Sequence, residues 1–199
     1  MKAFSLKFAK FIRGITVPPV LVFALILVIS LYRNDVFVGT LDVLTVTICL
    51  FLIPILAYPL SRMIPSLRSK GREGQRNLAF TLSFVSYLVA LIMGFYYHFE
   101  SYVKLILLTY FLSVLILVIF NRFLQLRASG HACSITGPLV FLIYFFGWKA
   151  WIPCGFIAIG VVWSSLKLKR HTLKEMAFGV AICLMSFTIA LCADYWNLF

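Results

Sequence analysis

The sequence predicts an all-α fold, a polytopic bundle of about seven transmembrane helices, with six spans as the alternative count. Of the 199 residues, 63% are hydrophobic and only 12% are charged. A soluble domain carries roughly 25% charged residues. The mean hydropathy of +1.04 points the same way. Apolar stretches of roughly twenty residues recur along the chain, and each is long enough to cross a hydrocarbon core of about 30 Å.

Short polar segments separate these apolar stretches. Residues 1–14 alternate Phe with Lys or Arg, which predicts either an interfacial amphipathic helix or a basic tail that sets topology. Residues 15–199 are predicted to form a single transmembrane domain. The fifth stretch is the weakest prediction because it is short and contains Gly137-Pro138. The predicted spans cover residues 15–32, 38–60, 78–99, 102–123, 131–148, 150–168 and 173–195.

Lys and Arg are concentrated on one side of this predicted topology. Four lie in the N-terminal segment, five in residues 62–76, two in residues 122–127 and four in residues 167–174. The opposite side has one each in three loops: Arg33, Lys104 and Lys149. By the positive-inside rule the basic side is cytoplasmic. We therefore expect an integral protein of a plasma (inner) or endoplasmic-reticulum-like membrane, with these basic loops in the cytoplasm.

The formal charge of +12 bears on the expected partners. Because the basic residues lie between membrane spans and not on a soluble surface, we expect no nucleic-acid partner. Membrane lipids with anionic headgroups, or a phosphorylated lipid, match loops of this kind. The sequence has no metal-ligand spacing and implies no cofactor, and it leaves the oligomeric state open.

Two polar loops on the basic side precede helices. The first loop, residues 65–76, contains Lys70, Arg72 and Arg76, and guanidinium groups suit phosphate because their planar donors match its oxygens bidentately. In the second loop, Ser129 is suited to cap a helix, and Gly130 lets backbone approach a ligand closely. Free N–H groups in the first turn of that helix make an anion site.

The third loop is the strongest polar break in the last third of the chain. It runs from residue 164 to residue 175 and places His171 four residues before Glu175, on one helical face. His131 in the second loop lies 40 residues before His171, so two spans of about 20 residues lead out and back to the same side. Two histidines near several arginines suit phosphoryl transfer to a histidine nucleophile, with the second histidine protonating the leaving oxygen.

The order and spacing of the three loops resemble the type 2 phosphatidic acid phosphatase superfamily. Its motifs are Lys-x6-Arg-Pro, Pro-Ser-Gly-His and Ser-Arg-x5-His-x3-Asp. Residues 128–131 match the second motif with Ala for Pro, and residues 164–175 match the third with Ser165 for Arg and Glu175 for Asp. In the first, Arg72-Glu73 with Arg76 resembles the Arg-Glu-x-x-Arg form of some branches, Asn77 replaces Pro, and Lys70 is one position nearer to Arg76 than the pattern asks.

The resemblance implies a metal-independent lipid phosphate or diphosphate phosphatase with a phosphohistidine intermediate. His171 would be the nucleophile, Glu175 would orient it, and His131 would be the general acid and base. The substrate would be a phosphorylated lipid or a polyprenyl (di)phosphate. The implied phosphate-binding residues are Lys70, Arg72, Arg76, Ser129, Gly130, Ser164, Ser165, Lys169 and Arg170.

The serine at position 165 is the departure that matters most. Loss of one guanidinium from a desolvated site costs about a hundredfold or more in rate. Lys167, Lys169, Arg170 and Arg72 are the candidate substitutes. The alternative is a catalytically silent relative that binds a phosphorylated lipid or a partner protein. A small transporter fits less well, because the two halves lack paired broken helices and the spans have few carboxylates.

Overall fold

The computed structural model describes residues 2–196 and 198. Met1, in the predicted N-terminal segment, and Asn197 and Phe199, in the predicted domain, lie outside the described residues. The chain is 85% helical, and no strand occurs in the described ranges, so the predicted all-α class is confirmed. The helices are α1 Lys2–Ile15, α2 Pro18–Tyr32, α3 Thr40–Thr47, α4 Ile53–Met63, α5 Pro65–Arg68, α6 Gly71–Tyr96, α7 Ser101–Val118, α8 Gly130–Phe146, α9 Trp148–Lys167 and α10 Leu173–Tyr195.

Two of the long helices contain a π-helical turn. The turn Ile48–Leu52 joins α3 to α4 and makes one apolar helix of 24 residues, Thr40–Met63. It lies just before Pro54. Because proline has no backbone N–H, it cannot make the regular α-helical hydrogen bond, and the wider π-helical turn accommodates that missing bond. The turn Ile119–Phe123 extends α7 in the same way to 23 residues.

Among the described residues, five helices are long and apolar enough to cross a membrane, and a sixth span results if the bent pair α1 and α2 counts as one. The predicted count of about seven is therefore slightly too high. The physical reason is length: α2 has 15 residues and α8 has 17, which at 1.5 Å per residue gives about 22 and 26 Å, less than the 30 Å of a hydrocarbon core.

Proline sets the start of the second helix. Pro18 is the first residue of α2 and Pro19 follows it, and proline is favoured there because its missing N–H is not needed in the first turn. The axis bends by 54° between α1 and α2. This bend lets α1 leave the direction of α2 and pack against α9.

The centre of the bundle is α10, which packs against α7 and α8, while α6 packs against α7 and α4. Phe141, Leu105, Ile106 and Ile182 are fully buried between these helices. The outer faces carry large exposed apolar side chains, as expected of a surface that contacts lipid. The structure is therefore a helical membrane protein with a packed interior.

The polar ends of several helices lie together at one end of the bundle. They are the C-terminal end of α1, the C-terminal end of α4, the first turns of α6 and α8, and the turn between α9 and α10. The three polar loops of the sequence are among them. The fold thus brings together segments that are separated by up to 160 residues, and they enclose one cavity.

Candidate functional site

The cavity at this end has a volume of about 590 Å³. Its lining, taken from the described residues, includes both His131 and His171 and contains no Asp or Glu. A site with this charge is suited to an anion. The cationic residues that line it are Lys10, Arg13, Arg62, Arg72, Arg76 and Arg170.

His171 is held by the start of α10. Thr172 is the N-cap residue: its Oγ1 accepts a hydrogen bond from Glu175 N at 3.2 Å, and Glu175 Oε2 accepts one from Thr172 N at 3.3 Å. This is a capping box, which the sequence Thr-x-x-Glu forms locally. The same Oε2 lies 3.1 Å from His171 Nδ1. A carboxylate accepts, so the proton is placed on Nδ1 and the other nitrogen, Nε2, is left for a ligand.

The pKa of His171 is lowered from its ordinary value of 6.5. Burial of the ring is the largest cause, the hydrogen bond with Glu175 opposes it, and the charges of Arg13 and Arg76 lower the pKa further. A lowered pKa keeps the imidazole neutral near pH 7. The neutral imidazole is the form that can act as a nucleophile.

The second loop is tied to the third by backbone. Ser129 N donates to Glu175 O at 2.8 Å, so the first turns of α8 and α10 are fixed to each other. Ser129 is the N-cap of α8, as predicted, and its Oγ accepts a hydrogen bond from Ala132 N at 3.2 Å. The Ser129 side chain is fully buried and does not line the cavity. Its contribution is to position the residues that follow it.

His131 lies in the first turn of α8 and lines the cavity. Its Nε2 is buried and has no hydrogen-bond partner among residues 2–196 and 198. An unpaired buried nitrogen costs roughly 1–3 kcal/mol unless a ligand or water pairs with it. Gly130 also lines the cavity, and a Cβ there would lie 2.8 Å from Phe80 Cζ. A side chain at position 130 would therefore force the Phe80 ring on α6 to move.

The first loop contributes two of its three predicted phosphate-binding residues. Arg72 and Arg76 lie one turn apart on α6 and both line the cavity, with Gln75 between them. Lys70 is the N-cap residue of α6, is exposed and does not line the cavity. Arg62, at the end of α4, lines it instead.

The polar residues of the third loop divide in a similar way. Arg170 lines the cavity, whereas Lys169, which has a φ of 49°, does not. Ser164 is buried, and its Oγ donates to Val161 O at 3.0 Å within α9. Ser165 is also fully buried. Lys167, considered as a substitute for the missing arginine, does not line the cavity either.

The sequence reasoning missed Arg13. The side chain comes from α1, lines the cavity, and its Nη1 donates a hydrogen bond of 3.0 Å to Ser165 Oγ. The two residues are 152 positions apart. The sequence signal was weak: Arg13 is one of four cations in a segment that favoured an interfacial helix or a topogenic tail, and nothing in that pattern indicates a contact with α9.

Part of the lining is apolar. The break between α1 and α2 contributes Val17, the start of α2 contributes Pro18, Pro19 and Val22, and α4 contributes Pro54. The cavity therefore offers cations and histidines together with hydrophobic surface. This combination suits an amphiphilic ligand with an anionic head and an apolar substituent.

Among the described residues, no three His, Cys, Asp or Glu side chains are grouped so that they could hold a metal ion. The fold and the cavity define the class of the protein: a helical membrane protein with a cationic cavity that contains two histidines. Comparison with family models, with curated proteins and with solved structures finds no match for this chain.

Proposed function

We propose that this protein is an integral membrane phosphatase of the type 2 phosphatidic acid phosphatase kind, which hydrolyses a lipid phosphate or a polyprenyl (di)phosphate through a phosphohistidine intermediate. The observation that carries the proposal is the single cavity that His131 and His171 share with six Lys and Arg side chains. Phosphoryl transfer needs a positioned nucleophile, a proton donor and fixed positive charge around the phosphate oxygens.

The proposed reaction has two steps. In the first, His171 Nε2 attacks phosphorus, the bond between phosphorus and the lipid or phosphate oxygen breaks, and His131 gives its proton to the leaving oxygen. Burial lowers the pKa of the His131 imidazole to about 3, so His131 carries this proton only with the phosphate bound, because the negative charge beside the ring raises its pKa. In the second, His131 accepts a proton from water, the water oxygen attacks phosphorus, and the bond from nitrogen to phosphorus breaks to release inorganic phosphate. Glu175 keeps the His171 proton on Nδ1 throughout.

A lipid is the proposed substrate class because apolar and cationic residues line the same cavity. The phosphate would lie between Arg72, Arg76 and Arg170, and the acyl or prenyl chain would leave along the prolines at the start of α2. The proposed membrane orientation places this end of the bundle in the cytoplasm. A cysteine at the exposed Ser69, in a Cys192→Ser background, tests it by its reaction with an impermeant thiol reagent from each side.

The test of the enzymatic proposal is phosphate release by the purified protein in detergent, with phosphatidic acid and a polyprenyl diphosphate as substrates. His171→Asn is expected to abolish turnover, and radiolabelled phosphate is expected to be trapped on the wild type but not on this variant. The matched control is His98→Asn, because His98 is an exposed histidine at the opposite end of α6. Turnover that persists in His171→Asn would contradict the mechanism.

The second candidate function is binding of a phosphorylated lipid without turnover, and Ser165 in place of the motif arginine is the observation that favours it. This candidate predicts saturable lipid binding, no phosphate release, and an affinity that His171→Asn barely changes. Ser165→Arg separates the two functions. A large gain in rate from that substitution indicates an enzyme whose site has been weakened.

A further inference from the structure

Helix α1 is fixed against α9 by apolar contacts. Ala9 is fully buried, the rings of Phe8 and Trp163 are 5.9 Å apart, and a Cβ at Gly160 would lie 3.8 Å from Ile12 Cγ2. Ala9 and Arg13 are four residues apart, so they lie on the same face of α1, one turn from each other. The position of Arg13 is therefore set by helix packing and not by the membrane surface.

The contact between Arg13 and Ser165 joins the cavity to the position where the resembled motif has its arginine. Ser165 is fully buried and accepts one hydrogen bond from Arg13 Nη1 at 3.0 Å. A guanidinium group has five N–H donors, so this bond leaves donors for the cavity that Arg13 lines. Serine is short, and the guanidinium from α1 reaches the space beside it.

Within the described part of the chain, no carboxylate balances the positive charge around Arg13. Arg13, Arg72 and Arg170 line the same cavity, and none of the three has an ion pair with a carboxylate among the residues that the structure describes. Clustered cations repel one another in a partly buried site, so the arrangement favours a bound anion. A phosphate can accept from several guanidinium groups at once.

We infer that Arg13 of the N-terminal helix α1 is a phosphate-binding catalytic residue. Its guanidinium group takes the place of the one that an arginine at position 165 on α9 would supply. The inference rests on the proposed function of the cavity as a phosphate site. Its consequence is that the N-terminal segment belongs to the active site. The missing arginine at 165 then gives no reason to regard the protein as inactive.

The experiment compares Arg13→Met and Arg13→Lys with Lys7→Met in phosphate release from phosphatidic acid by the full chain. Lys7 is exposed on the same helix and does not line the cavity. Arg13→Met is expected to lower kcat by about a hundredfold or more. The kcat of Arg13→Lys is expected to lie between those of Arg13→Met and the wild type, because lysine keeps the charge and loses the bidentate geometry. Lys7→Met is expected to stay within about twofold of wild type.

The charge-relocation variant keeps the test decisive if the single variants fold poorly. Arg13→Ser with Ser165→Arg moves the guanidinium to the motif position, and its kcat is expected to exceed that of Arg13→Ser alone by about tenfold or more. Equal rates for these two variants, or a kcat of Arg13→Met equal to that of Lys7→Met, would overturn the inference.

A binding measurement separates this inference from the enzymatic proposal. Inorganic phosphate is expected to raise the Tm of the wild type in detergent, with chloride at equal ionic strength as the control, and Arg13→Met is expected to abolish that rise. If the wild type binds phosphate through Arg13 but hydrolyses no lipid, the enzyme is refuted and the role of Arg13 in binding stands. If phosphate stabilises Arg13→Met as much as the wild type, the inference is refuted.

Discussion

Substitution of Gly179 by alanine tests how closely the two histidine-bearing helices must approach. Gly179 is buried in α10, where a Cβ would overlap the carbonyl oxygen of Ser129 and lie 3.0 Å from Cys133 N. Both atoms are backbone at the start of α8, and the Ser129 carbonyl already accepts from Cys133 N at 3.0 Å. Neither atom can rotate away, so the helices must separate by roughly 1 Å to restore ordinary contact distances.

The expected size of the effect follows from that separation. Overpacking costs about 1–3 kcal/mol, and the better helix propensity of alanine returns about 1 kcal/mol, so the free energy of unfolding should fall by up to about 2 kcal/mol. The separation also stretches the hydrogen bond from Ser129 N to Glu175 O, which is 2.8 Å long. A displacement of about 1 Å between catalytic groups costs roughly a hundredfold in kcat.

The assay is unfolding in detergent micelles together with the kcat for lipid phosphate hydrolysis. The matched control is Gly155→Ala in α9, where a Cβ would meet nothing within 4 Å. The free energy of unfolding of this variant should rise by up to about 1 kcal/mol, because alanine has the better helix propensity. A Gly179→Ala protein that is as stable as Gly155→Ala would refute the close packing of α8 on α10.

Three further predictions follow from the contacts of the site and of the opposite end. In a pH-rate profile, the acid limb of kcat/KM is expected below pH 6.5, because the pKa of His171 is lowered and its neutral form reacts. Glu175 raises this pKa and Arg13 lowers it, so Glu175→Gln should move the limb to lower pH and Arg13→Met should move it to higher pH. Ser129→Ala removes the N-cap of α8 and should cost about 1 kcal/mol in unfolding free energy, with no loss if the cap does not form. Arg33→Met removes a 2.7 Å hydrogen bond to the carbonyl of Phe145 in the last turn of α8. The free energy of unfolding should fall by about 1–3 kcal/mol while kcat stays unchanged. A large loss of kcat would contradict the distance between this end of the bundle and the cavity.

The local features of the site were predictable from neighbouring residues. The Thr-x-x-Glu pattern is itself a capping box, and the spacing of four residues between His171 and Glu175 places both on one helical face. Ser129 as the N-cap of α8 followed from the same reasoning, because a serine before an apolar helix satisfies its free N–H groups. These interactions span at most four residues, so no knowledge of the tertiary structure was needed.

The division of the cations was not predictable in the same way. Arg72 and Arg170 line the cavity whereas Lys70 and Lys169 do not, although all four lie in the same loops. Which of two neighbouring side chains points inward depends on where a helix begins, and the start of α6 at Gly71 and the turn at Lys169 decide it. The number of spans depended on the helix ends for the same reason.

The sequence by itself determined that this is an all-α membrane protein. An apolar content of 63% with 12% charged residues indicates a chain in lipid, where only helices or a closed barrel satisfy the backbone hydrogen bonds. The apolar stretches have the length of membrane-spanning helices. Only the tertiary structure decided that Arg13 meets Ser165 across 152 residues. That contact exists because the chain bends by 54° at the prolines after α1, and α1 packs on α9. Packing between distant helices leaves no periodic pattern in the sequence from which it could be read.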